Sequence, residues 1–163
     1  MKKTISLILA LVLCLCSVSV LAETVDAVAS ASVADFYGEF AITGDDLMDA
    51  LNSYSGFYTV TTVNEDGTPQ VGYYIYGCLK YNDKYYLTMG IAPNQTYNNL
   101  VANGEGIAVY AASPSGDTPY AVAGARMWFK VVTDEETLAA LTELYGSDYA
   151  PFFCEVTAVR SLG

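Results

Sequence analysis

Residues 56–90 read GFYTVTTVNEDGTPQVGYYIYGCLKYNDKYYLTMG, three runs of β-branched and aromatic residues separated by two turns. Thr, Val, Tyr and Ile fill the runs because such side chains pack well on a pleated surface. The breaks, Asn64-Glu65-Asp66-Gly67-Thr68-Pro69 and Asn82-Asp83, hold the Gly, Pro, Asn and Asp that tight turns require. The stretch is an antiparallel meander, with strands expected over 57–63, 71–79 and 85–89.

Working outward, Thr43 stands where a helix over 45–53 would be capped, with Asp46 three residues on as a capping-box partner. Leu47, Met48, Ala50 and Leu51 give that helix an apolar face. Beyond the meander come a short helix near 96–102, a strand at 107–112 and the loop SPSGDTP at 113–119. A strand over 121–132 then leads through Thr133, as cap, to a helix at 134–145 and a last strand at 152–159. Six strands with helices at the periphery predict a mainly β fold, a small antiparallel barrel closed or nearly closed. There is no internal repeat and no second core.

The first 22 residues read as an address rather than as structure. Lys2 and Lys3 form a positive start, 5–20 an apolar run, and Val20-Leu21-Ala22 a small-residue cleavage signal of bacterial type. The apolar run is shorter than the roughly 20 residues that span a bilayer. The expected organisation is therefore a signal peptide at 1–22, an arm rich in Ala, Ser and Val at 23–42, and one domain at 43–163. The product is expected to be secreted or held in the cell envelope, with no membrane association after cleavage.

Cleavage removes two of the 7 basic residues and none of the 18 acids, leaving Lys80, Lys84, Arg126, Lys130 and Arg160 and a net charge of −13. Such a field repels nucleic acid and anionic lipid, and it disfavours phosphorylated ligands unless cations gather locally. The chain has no histidine. That excludes Ser-His-Asp and Cys-His nucleophiles, imidazole general bases and the usual zinc sites. Chemistry carried by a cofactor, chemistry by carboxylates, and binding without chemistry remain.

Cys78 and Cys154 survive cleavage and lie in different expected strands. They form either a disulfide or two buried thiols. Fourteen tyrosines include the pairs Tyr73-Tyr74 and Tyr85-Tyr86. Alternation along a strand sends one ring of each pair to each sheet face, so one of each leaves the barrel core. Its destination is solvent, a ligand or a second subunit, and tyrosine is enriched at subunit interfaces.

The order of these elements over 43–159 resembles the FMN-binding split barrels of the pyridoxamine 5'-phosphate oxidase family. Asp66-Gly67-Thr68-Pro69 stands where family members have a D-G-x-P turn. Thr88-Met89-Gly90 stands where a threonine touches flavin. Asn94-Gln95-Thr96, then Asn103, replace a Ser-Arg-Lys-like loop and a helix ending in Asn, and Gly124-Ala125-Arg126 resembles a later G-x-A segment.

The resemblance implies a six-stranded split barrel, a homodimer, FMN as cofactor, and redox chemistry on a small molecule. It assigns cofactor contacts to Thr88, Asn94, Gln95 and Thr96, with Lys80 and Arg126 as the available cations. The basic side chains that hold the FMN phosphate in family oxidases are replaced by Gly72 and Gly77 on the strand, and by Gln95 and Thr96 in the loop. Thr96→Lys is expected to restore the missing loop cation. A non-catalytic binder of another small ligand, on the same fold with an eroded phosphate site, is the alternative. No residue stands out as a catalytic acid or base.

Overall fold

A computed structural model describes residues 41–113, 123–147 and 151–162. The expected leader and arm, up to residue 40, and most of the 113–119 loop lie outside the described residues. Seven strands form one sheet: β1 (Phe57–Val63), β2 (Pro69–Tyr73), β3 (Tyr76–Tyr81), β4 (Lys84–Met89), β5 (Glu105–Ala111), β6 (Gly124–Val131) and β7 (Phe152–Arg160). Their order is β2-β1-β5-β6-β7-β4-β3, and every ladder is antiparallel. Among the described residues, three helices accompany them: α1 (Gly44–Asn52), α2 (Gln95–Asn103) and α3 (Glu135–Tyr145).

The expected six strands become seven because the run over 71–79 pairs with two partners. Tyr73 ends the ladder to β1, and Tyr76 begins the ladder to β4. These are the two edges of the sheet, so the chain turns a corner at Tyr74-Ile75 and the sheet curls on itself. Side-chain parity survives the corner: Tyr76 and Cys78 are buried while Val71 and Tyr73 are exposed.

Rings fill the closed side. Tyr76 meets Tyr58 edge-on at 5.2 Å, and Tyr58 meets Tyr110 at 5.1 Å. The Tyr76 hydroxyl donates to the Val109 carbonyl (2.9 Å), and the Tyr58 hydroxyl shares its proton between the Leu51 and Ser55 carbonyls (3.1 and 3.2 Å). The phenols are thus buried without an unmet donor, the condition for placing Tyr inside a core. Val60, Leu87, Met89, Ala108, Ala125, Met127 and Phe129 complete the interior.

The helix ends follow local chemistry. Asp134 accepts from the Thr137 amide at 2.8 Å and so takes the capping position expected for Thr133. Thr43 is the N-cap residue of α1 in backbone terms, but its side chain makes no capping bond. Gly104 and Gly146 close α2 and α3 in the left-handed conformation, at φ +68° and +67°. Asn82 and Asp83, both at positive φ, make the two-residue β3–β4 turn. Tyr86 leaves the barrel core as alternation requires, but it is covered by Leu141 of α3 and by Phe153.

The strand register settles the cysteines. Cys78 pairs with Leu87, and Leu87 pairs with Cys154, so a whole strand lies between them. Two ladder spacings come to roughly 9.6 Å, beyond the ~4.4–6.8 Å between Cα atoms that a disulfide spans. Both are free, buried thiols, and burial pushes Cys78 up to about 12 and Cys154 higher still. Native protein at pH 8 is therefore expected to resist iodoacetamide at Cys78 and Cys154, whereas both should be alkylated in urea without reductant. A chain two hydrogens light in non-reducing mass analysis would contradict this register.

Candidate ligand site

The expected cradle begins at α2. Asn94 caps the helix, its Oδ1 accepting from the Tyr97 amide at 3.0 Å. Its Nδ2 donates to the Tyr74 hydroxyl at 3.2 Å. Gln95 Nε2 donates to Asn99 Oδ1 at 2.8 Å. Asn99 is itself buried and donates to Thr62 Oγ1 and Asn64 Oδ1, tying α2 to the end of β1. Thr96 is fully buried, and its hydroxyl has no hydrogen-bond partner among the described residues. Thr96 is thus turned into the fold, while Asn94 and Gln95 stay exposed with their side-chain amides engaged by Tyr74 and Asn99.

The space over the second strand is also filled. A Cβ on Gly72 would lie 2.3 Å from Cε2 of Tyr74. Gly72 therefore marks the place where the Tyr74 ring folds back onto the sheet on its way to Asn94. This relation was readable in principle, since residues two apart share a strand face and an aromatic ring often covers a neighbouring glycine. Gly77 is crowded by polar atoms instead: Asn52 Oδ1, Tyr54 Oη and Thr88 Oγ1 all lie 3.0–3.1 Å from where its Cβ would stand. Thr88 thus sits at the β3 edge with Asn52 and Tyr54. Asn52 also pairs with the backbone of Cys78 as a strand would, donating to its carbonyl at 2.9 Å and accepting from its amide at 2.8 Å.

The two candidate cations lie elsewhere. Lys80 is three residues beyond Gly77, about 10 Å further along the strand. It is bound to Asp45 at 2.8 Å, and the same carboxylate oxygen accepts from Tyr85 at 2.8 Å. Those two donors hold Asp45 below the ordinary carboxylate range, and the bond to Asp45 raises Lys80. Arg126 is on β6, three ladders from β2, about 14 Å across the sheet. Its Nε donates to the Ser161 carbonyl at 2.6 Å.

Acids take the place of cations beside α2. A surface cavity of about 680 Å³ is lined by Asn64, Glu65, Asp66, Gln70 and Gln95. Thr68 donates to Asp66 through both its hydroxyl (2.6 Å) and its amide (3.0 Å), which holds Asp66 below the ordinary carboxylate range and keeps it charged. A phosphate dianion needs several charge-assisted donors or an open helix N-terminus. Committed amides, a buried hydroxyl and two flanking carboxylates do not fit that group. Among the described residues, no cluster of three His, Cys, Asp or Glu is placed to hold a metal ion, and no helix is long and apolar enough to cross a membrane.

No family model matches the chain, and no curated protein matches it in sequence. Solved structures do match. An FMN-binding protein from Syntrophomonas wolfei subsp. wolfei superposes with a TM-score of 0.52 at 13% identity, over 73% of this chain and 85% of that one. A heme-binding protein from Mycobacterium smegmatis gives 0.48 at 18% identity, over 75% of this chain and 55% of that one. A Lactobacillus delbrueckii protein provisionally assigned as a pyridoxamine 5'-phosphate oxidase gives 0.48 at 18%, over 78% of this chain and 98% of that one. At such identities the likeness speaks for architecture alone. The chain has the FMN-binding split-barrel fold that its resemblance to the pyridoxamine 5'-phosphate oxidases implies.

Proposed function

We propose that the chain is an exported, homodimeric split barrel that binds a small ligand without catalysing a reaction, its FMN-phosphate cradle having been eroded. The observation that carries this reading is the Tyr74 ring lying over Gly72 and bonded to Asn94, where a phosphate would need open donors. Glu65 and Asp66 beside Gln95 act in the same direction, because two carboxylates repel a dianion. The FMN-dependent oxidoreductase is the second reading. In its favour stands the unpartnered Thr96 hydroxyl in the first turn of α2, a helix end whose dipole suits an anion.

Fluorescence titration with FMN and riboflavin separates the two. Wild-type protein is expected to emerge colourless from purification and to bind FMN no better than riboflavin. Thr96→Lys is not the variant to use, because position 96 is buried and would desolvate an ammonium group. Gln95 is exposed, and Gln95→Lys is expected to tighten FMN roughly 10- to 100-fold, from a charge-assisted bond of about 1.5–3 kcal/mol, with riboflavin unchanged. A yellow wild-type protein carrying one FMN per chain returns the oxidoreductase reading.

The homodimer is supported by one outer sheet face. Phe57, Val63, Val71 and Tyr73 project from β1 and β2, each more than half exposed, and Ile75 follows at the corner. Apolar surface of that extent rarely goes unused. Light scattering on the mature domain is expected to give twice the chain mass, and a monomer at high concentration would remove the dimer. Export rests on residues 1–22, and N-terminal sequencing of protein recovered outside the cytoplasm should begin at Glu23.

A further inference from the structure

Arg126 and Arg160 face each other directly across the β6–β7 ladder on the outer side of the sheet. Like charges in register destabilise a sheet. Here they are two of only 7 basic residues in a chain of net charge −11. The two ion pairs among the described residues are Lys80–Asp45 and Lys84–Glu155, and neither involves these arginines. Lys130, on the same face, lies in register between Glu105 and Glu155 and so has acids on both sides. Among the described residues, the arginine pair has no acid in register: Arg126 is flanked on β5 by Val109. Arg126 donates to the Ser161 carbonyl and Arg160 to the Val159 carbonyl, and a guanidinium carries five N–H donors.

Beside this pair lies a platform. Trp128, the only tryptophan, is two residues from Arg126 on the same face, and the Arg126 guanidinium stands 5.8 Å from its ring. Its neighbours in register are Ile107 and Ala158. Trp128 and Ile107 line a groove of about 1020 Å³ with Thr61, Glu65, Glu105 and Thr157, and the arginine pair stands just outside that lining, two residues along β6 from Trp128. A bulge between Trp128 and Phe129 inserts Thr157 there, and Thr157 Oγ1 donates to the Trp128 carbonyl at 3.1 Å. Bulges commonly re-aim side chains beside functional sites.

We propose that this groove binds a planar aromatic carboxylate, its ring against Trp128 and Ile107 and its carboxylate shared by Arg126 and Arg160. The anion resolves a repulsion that the fold otherwise leaves in place, and guanidinium geometry matches a carboxylate oxygen by oxygen. The ring area covers apolar surface adjoining the charged pair. The groove meets the α2 cavity at Asn64 and Glu65, whereas Trp128, Arg126 and Arg160 lie away from that shared edge, on β6 and β7.

Trp128 supplies the reporter, since the chain has a single indole N–H and hence one such peak in a ¹⁵N–¹H correlation spectrum. Mature protein is titrated with 2-naphthoate, with neutral 2-naphthamide and with acetate. The expected result is a saturable shift of the indole peak with naphthoate, at least 10-fold weaker binding of the amide, and no shift with acetate. Arg160→Gln, at an exposed position, should weaken naphthoate about 10-fold and leave the amide unchanged. Equal affinity for acid and amide, or an Arg160→Gln variant that binds naphthoate as well as wild type, would overturn the proposal. So would an indole peak that moves with protein concentration and ignores naphthoate, because the face would then belong to a second copy.

Discussion

The barrel depends on a seam that no hydrogen-bond ladder closes. β2 and β3 are the two edges of the sheet, yet they are consecutive in the chain with only Tyr74 and Ile75 between them. A short covalent corner brings the edges together, but backbone pairing does not join them. Packing does so instead, through Tyr76 from one edge against Tyr58 from the strand beside the other, with the Tyr76 hydroxyl reaching β5. Burial pushes the Tyr58 phenol up to about 12 and Tyr76 higher, so both stay neutral and act as core residues with one directional bond each. The exposed side of β3 is then closed by Asn52, whose amide occupies the backbone groups of Cys78 as a neighbouring strand would. An edge covered in this way offers no template for further strand pairing.

Charge is the second constraint. With 18 acids and few cations, each basic residue has a strong choice of partners, and two of them are used as staples. Lys80 fastens the β3–β4 hairpin to α1 through Asp45, and Lys84 fastens it to β7 through Glu155. These are exposed pairs that solvent screens, so their importance is positional. A lysine held at Asp45 cannot serve an anion at α2. Among the described residues, Arg126 and Arg160 are the basic residues in register with each other rather than with an acid.

Much of the fold was legible because its signals are local. The Asn82-Asp83 turn, the acidic turn ending in Gly67 and Thr68, the meander and all three helices follow from spacing and turn chemistry within a few residues. The seventh strand was hidden because a corner that changes pairing partners leaves inward-outward alternation intact from Val71 to Cys78. The cysteines could not be resolved without register, since one strand's width decides between a bridge and two thiols. The site was less legible for a related reason. Asn94, Gln95 and Thr96 are contiguous and do sit together, but the direction of each side chain is set by α2 capping and by the buried Asn99 bonds to β1. Lys80 and Arg126 looked available as cations only because Asp45 and Ser161 are 35 residues away in sequence.

Gly72 and Tyr74 show how one side chain can fill the place of another in an intact fold. A strand position facing a ligand normally carries a side chain that either reaches the ligand or fills its place. Glycine here removes the side chain, and the tyrosine two residues on lays its ring over the gap and bonds to the helix cap. The ring restores packing that glycine forfeits, and the hydroxyl occupies a cap amide that would otherwise face outward. The two residues therefore act as a pair. A basic side chain at position 72 would drive the ring out and free Asn94, so a substitution at either of these two residues is coupled to the other.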